Sequence, residues 1–174
     1  CGNLGDPIVA RDSLEVFRYF RQHNQKMWLS MNTNAGAKPV EWWRELAQVY
    51  GRMGTVIFSV DGLQDTNHLY RQNVVWDNVE RNMRAFIEAG GRARWDYIIF
   101  GHNEHQVEEA EALADAWGVE RFQKKKSARF FTATSQQKDF HQARNRKGEQ
   151  TQVISKPVAD KNQNLALLKQ KEIE

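Results

Sequence analysis

The run TVIFSV at residues 55–60 constrains the fold more than any other stretch of the chain. It is short, apolar and rich in β-branched residues, with Gly54 before it and Asp61-Gly62 after it. Such a run reads as a strand buried on both faces. Three other stretches behave similarly: KMWLSMNTNAG, which stops at Asn-Ala-Gly, then RWDYIIF, then Val119 to Lys125. Between and before them the period changes to that of a helix. From Asp12 to His23, Leu14, Phe17 and Phe20 form one stripe, with Asp12 and Glu15 spaced as a capping box. After Pro39, which suits a first helical turn, Trp42, Trp43, Leu46, Val49 and Tyr50 make a second apolar face. Val79, Met83, Phe86 and Ile87 mark a third helix, from about Trp76 to Ala89, stopped by Gly90-Gly91. A fourth runs from Glu104 to Trp117 and ends at Gly118.

Helix and strand therefore alternate four times, which argues for parallel strands joined by helical crossovers, in an open α/β sheet or part of a barrel. The chain begins without Met, inside the turn CGNLGDP, as though arriving from a strand before Cys1. We therefore expect a fragment. After Phe131 the periodicity fades into QQKDFHQARNRKGEQTQ, which reads as a solvated linker, while NLALLKQKEIE has the pattern of a short terminal helix. The expected division is a folded unit over 1–131 and a linker or tail over 132–174, the start of a C-terminal extension.

Composition narrows the function. With 40% hydrophobic residues, six Trp and nine Phe, the chain can bury a core. No apolar run approaches the roughly 20 residues of a membrane span, and no signal peptide is visible. The expectation is a soluble, cytoplasmic protein with no membrane partner. The net charge of +3 has its basic excess late, in KKKSAR and QARNRKGE, and is opposed by the acidic helix EEAEALAD. That balance permits nucleic acid as a partner but argues against a strong footprint. Cys1 is the sole cysteine, which excludes an internal disulfide and a self-contained iron–sulfur or Cys-rich zinc site within these residues.

In parallel α/β folds, ligands bind beyond the C-terminal ends of the strands. Those ends carry Gly2, Asn3, Gly5 and Asp6, then Asn32, Thr33, Asn34 and Gly36, then Ser59, Asp61 and Gly62, then Gly101, His102 and Asn103, and finally Lys124 to Ser127. Glycines let backbone amides approach a ligand, while Ser, Asn and Asp bind its hydroxyl and amino groups. Turns favour these residue types for conformational reasons alone. Their coincidence on one rim points instead to a site for a polar, nucleotide-sized molecule.

In this order the turns resemble those of the radical S-adenosylmethionine superfamily, in the branch with a SPASM- or twitch-type extension. CGNLGDP resembles that family's GGEP-type turn, NTNAG its T-N-G turn, and FSVDGLQDTNHLYR its S-x-D-G turn with a following His and Arg. IIFGHNEHQVEEA is similar to its fifth-strand segment, and the likeness covers residues 1 to about 127. The resemblance implies a partial (β/α)6 TIM-like barrel with outer helices, followed by the polar tail. It implies that Gly2, Asn3, Gly5 and Asp6 hold the amino group of S-adenosylmethionine, that Asn34 belongs to the same rim, and that Ser59 and Asp61 contact the ribose or the carboxylate. Arg71 is then a partner for that carboxylate, with a surface ion pair to Asp65 or Asp77 as its ordinary alternative, and Ile99 to Asn103 lie near the adenine.

The implied chemistry is reductive cleavage of S-adenosylmethionine by a [4Fe-4S] cluster to a 5′-deoxyadenosyl radical, which abstracts hydrogen from a substrate. An electron donor and a peptide or protein substrate are the implied partners. The family's CxxxCxxC loop is expected upstream of Cys1, so this segment alone should be catalytically inactive, and its catalytic residues are not assigned. Two alternatives compete: an aldolase-like barrel with a Schiff base on Lys124, Lys125 or Lys126, and a non-catalytic nucleic-acid arm over 124–148 with Phe130 and Phe131 as stacking platforms.

Overall fold

Four parallel strands and their crossover helices make the body of the computed structural model, which describes residues 5–132, 136–144 and 149–165. In chain order these are α1 (Ser13–His23), β1 (Leu29–Thr33), α2 (Val40–Tyr50), β2 (Gly54–Ser59), a single turn α3 (Asn67–Tyr70), α4 (Trp76–Glu88), β3 (Ala93–Ile99), α5 (Val107–Trp117) and β4 (Arg121–Lys126). The sheet order is β1-β2-β3-β4, every pair parallel and in register. This is the expected α/β architecture, part of a TIM-like barrel. Two local expectations differ. Asp12 makes no side-chain cap and Glu15 accepts from Arg18 at 2.8 Å, so no capping box forms, and Pro39 stands at the N-cap, one residue before the helix.

The helices cover one face of the sheet only. Val56 and Phe58 are fully buried, whereas Thr55, Ile57 and Ser59 between them are partly exposed, so TVIFSV is not buried on both faces as its apolar run suggests. The covered side holds an aromatic core of Trp43, Phe58, Phe86 and Tyr50, with Trp43–Phe58 and Phe58–Phe86 ring centroids both 5.8 Å apart. Trp95 stacks on Trp117 of α5 at 5.7 Å, fixing the last crossover. The other face is polar: the register aligns Ser30 with Thr55, Ser59 with Asp96, and Arg94 with Arg121.

The stretch after Phe131 is not a linker throughout. Phe140–Arg144 (β5) and Gln150–Ser155 (β6) form an antiparallel hairpin. Ile154 and Phe130 pack with Phe100 in a second small core, and Tyr70, Ile98 and Phe131 lean against it. The weakly alternating, mostly polar hairpin sequence gains its order from that anchorage. Most of NLALLKQKEIE lies outside the described residues.

Candidate functional site

The C-terminal ends of β1 and β2 and the turn before α1 meet in a depression of about 280 Å³ lined by Gly5, Asp6, Asn32, Thr33, Asn34, Ser59 and Arg71. Six of the residues expected at the rim, Gly5, Asp6, Asn32, Thr33, Asn34 and Ser59, are thus brought together, with Arg71 beside them. Gly2 and Asn3 lie outside the described residues. Asp6 is fixed by the end of β1: its Oδ2 accepts from Thr33 Oγ1 at 3.0 Å and the Asn34 amide at 2.8 Å, and its Oδ1 accepts from the Ile8 amide. A carboxylate has about four acceptor positions, so one remains for a donor in the depression. Asn34 Oδ1 is held by the Gly36 amide at 2.9 Å, which leaves its amide nitrogen without a partner among the described residues.

Arg71 and Asp61 form the hub of the rim. Asp61 is wholly buried, so its carboxylate reaches the depression only through Arg71, whose Nε and Nη2 both donate to Oδ2 at 2.7 and 2.5 Å. Oδ1 accepts from the Ile98 amide at 2.6 Å. Arg71 is therefore paired with neither Asp65 nor Asp77. Its Nη1 has no partner among the described residues, while its position on the depression leaves a cationic edge there. Burial pushes the Asp61 carboxyl above its ordinary range, and Arg71, the Ile98 amide and Arg129 hold that rise back. Gly62 follows at φ +141°, where a Cβ would collide with Thr66 Oγ1.

Asn103 is also wholly buried and acts as a clamp: it donates to Asp61 O and Ile98 O, both at 3.0 Å, and accepts from the Phe100 amide at 2.7 Å. Ile99 points into the helix-covered core at 2% exposure. Both side chains are thus enclosed within the fold, while Ile98 is only partly buried and leans on the Phe100 cluster. Sequence reading missed the polar groups that set the turns. Gln106 accepts from the Leu63 amide and from Thr66 Oγ1, and Asn82 donates to Ala35 O at 2.8 Å. Asn82 had a signal, being a polar residue inside the apolar stripe of α4; Gln106 had none.

The hairpin closes over the turn after β3. The Gly101 amide donates to Ser155 O at 3.0 Å, so close that a Cβ at Gly101 would meet Lys156 O at 2.7 Å. Glu104 accepts from the Val158 and Ala159 amides at 2.7 and 3.0 Å and from Asn162 Nδ2 at 2.7 Å. Partial burial works to raise its carboxyl, but these hydrogen bonds outweigh it and hold the group below its ordinary range. His102 stacks on Phe100 at 5.4 Å, and burial, with His105 and His68 nearby, lowers its pKa. Phe130 is 2% exposed and is not available to stack on a base. Lys124 pairs with Glu111 at 2.7 Å and Lys125 with Asp96, both lysines remaining about 45% exposed.

The class these features define is a partial parallel α/β barrel with a polar pocket at its strand ends. SuiB of Streptococcus suis has this fold in two solved structures. One, bound to S-adenosylmethionine, superposes with a TM-score of 0.59 at 19% identity, covering 69% of this chain and 27% of that one. The other superposes at 0.60 with 17% identity, over 80% of this chain and 31% of that one. The chain thus spans about a third of the length of the structures it matches. No protein-family model and no curated protein sequence matches it. Among the described residues no helix is long and apolar enough to cross a membrane.

Proposed function

We propose that the chain is the cofactor-binding part of a cytoplasmic radical S-adenosylmethionine enzyme. The observation that carries this reading is the convergence of Gly5, Asp6, Asn34, Ser59 and Arg71 on one depression. The donor set fits the methionine end of the cofactor: a spare acceptor on Asp6 for the ammonium and the free edge of Arg71 for the carboxylate. When bound, S-adenosylmethionine supplies one-electron, hydrogen-abstracting chemistry. Asp6 and Arg71 hold its charged end, and Asp61 orients Arg71.

The iron–sulfur cluster does not fit this chain by itself. It needs three thiolates, the sequence has one cysteine, and among the described residues no group of His, Cys, Asp or Glu could hold a metal. In this reading the ligands belong to sequence preceding Cys1, with a SPASM- or twitch-type extension following. The substrate is a peptide or protein, and an electron donor is the second partner. Titration calorimetry tests the pocket directly. S-adenosylmethionine should bind the chain, and Asp6→Asn should weaken it about tenfold, the size of one charged hydrogen bond. Equal affinity in both proteins, or no heat with either, would remove the assignment.

A further inference from the structure

The polar face of the sheet carries a charge arrangement that the cofactor pocket does not use. Arg94 on β3 and Arg121 on β4 are direct cross-strand partners and share that face. Like charges placed directly opposite destabilise a sheet. Arg94 is only partly neutralised, since its Nε donates to Asp96 Oδ1 at 2.6 Å while Lys125 claims the same carboxylate. Arg121 has no ion pair or hydrogen bond among the described residues, and Arg92 is matched by Glu120. Arg94 and Arg121 border a depression of about 400 Å³ together with the Arg92–Glu120 pair, over a floor of Trp28, Ser30, Thr55 and Ile57, so three arginines there face one carboxylate. An excess of arginines over a concave floor, Arg121 with no ion pair among the described residues, is a receptor for an anion, and their flat forks suit a carboxylate.

We infer that this face binds an acidic peptide, with a Glu or Asp side chain lodged between Arg94 and Arg121. The inference that this peptide is the substrate rests on the reading above. The face suits an extended occupant because the strand register carries it from the arginines toward the cofactor rim, with Asp96 covered between them by its pairs to Arg94 and Lys125. Asp96, two residues beyond Arg94 and about 7 Å further along, is the register partner of Ser59, which lines the cofactor pocket. A peptide held by its acid at the arginines therefore presents a residue a few positions away to the rim, and Lys125 is a second cation along its course. A free dicarboxylate would fill the lower depression only.

The test is a nitrogen-detected NMR titration of the arginine side chains. The probes are acetyl-Gly-Glu-Gly-Gly-amide, the same peptide with Gln in place of Glu, and glutarate. The Glu peptide should bind at least about tenfold more tightly than the Gln peptide, since a charged hydrogen bond is lost with the charge. Arg121→Gln, at an exposed position with no partner to strand, should abolish that preference and leave S-adenosylmethionine affinity unchanged. Asp96→Asn should strengthen the Glu peptide by freeing the cations. Equal binding of the two peptides, or a preference that survives Arg121→Gln, would overturn the proposal; glutarate binding as tightly as the Glu peptide would overturn the peptide as occupant. If S-adenosylmethionine binds none of these proteins, the cofactor reading falls, while the Glu/Gln comparison still decides the anion site.

Discussion

Replacing Arg71 with Met strands a carboxylate that the fold has completely enclosed. Removing one partner of a buried ion pair costs about 3–5 kcal/mol. Arg71 is 24% exposed and the Ile98 amide still serves Asp61, so the low end applies, about 3 kcal/mol. For a chain of 174 residues that is a fall in Tm of about 6–12 °C. The sign with pH follows from the direction of the Asp61 shift. A carboxyl raised by burial binds its proton more tightly folded than unfolded, so stability declines as pH rises from the ordinary carboxylate range through the raised value. Without Arg71 that interval extends upward, so the loss should be larger at pH 8 than at pH 5. Urea denaturation at both values measures it, with Arg84→Met as control, because Arg84 meets Glu80 and Glu88 only at the exposed surface at 3.5 and 3.6 Å. The double variant Arg71→Met/Asp61→Asn should recover about half the loss, since a neutral amide oxygen can still accept from Ile98. The reasoning is refuted if Arg71→Met costs no more than the control, or if the double variant is less stable than the single one.

Glu104→Ala should speed amide exchange at Val158 and Ala159 by about tenfold or more, read by NMR or mass spectrometry. Because the folded Glu104 carboxyl lies below its ordinary range, the native latch should hold at neutral pH and weaken as pH falls through that lowered value, slowing no exchange in strong acid. Gly62→Ala should cost about 2 kcal/mol or more in denaturant unfolding, since the backbone conformation and the Thr66 contact both oppose a Cβ.

The alternation of strand and helix was legible because each element follows its own period, and the rim was legible because polar turn residues recur at strand ends. The one-sided sheet was also written in the chain: Ser30 and Asn32, and Arg94 and Asp96, recur at a spacing of two, and Thr55 and Ser59 at twice that. Ile57 hid the pattern in β2 by making its run look wholly apolar. The roles of Asp61 and Asn103 were not legible. Both sit in turn motifs, and only the folding of Arg71, Ile98 and Phe100 around them turns a candidate ligand into an anchor. The hairpin escaped because its order comes from Ile154 meeting Phe100 and Phe130, a contact between distant segments that no local period announces.

The hold of Glu104 on Asn162 spans 58 residues and imposes an order in time. At about 5–20 residues per second of synthesis, the turn after β3 waits on the order of several seconds for its closing strap. The sheet closes through neighbouring units and does not wait. A nascent chain stalled just after β4 should therefore protect its strand amides in pulsed hydrogen exchange while the Gly101 amide, whose acceptor is Ser155 O, still exchanges freely; equal protection in both would dissolve the sequence of events. Closure of the turn after β3 is on this account the final event in the maturation of these segments.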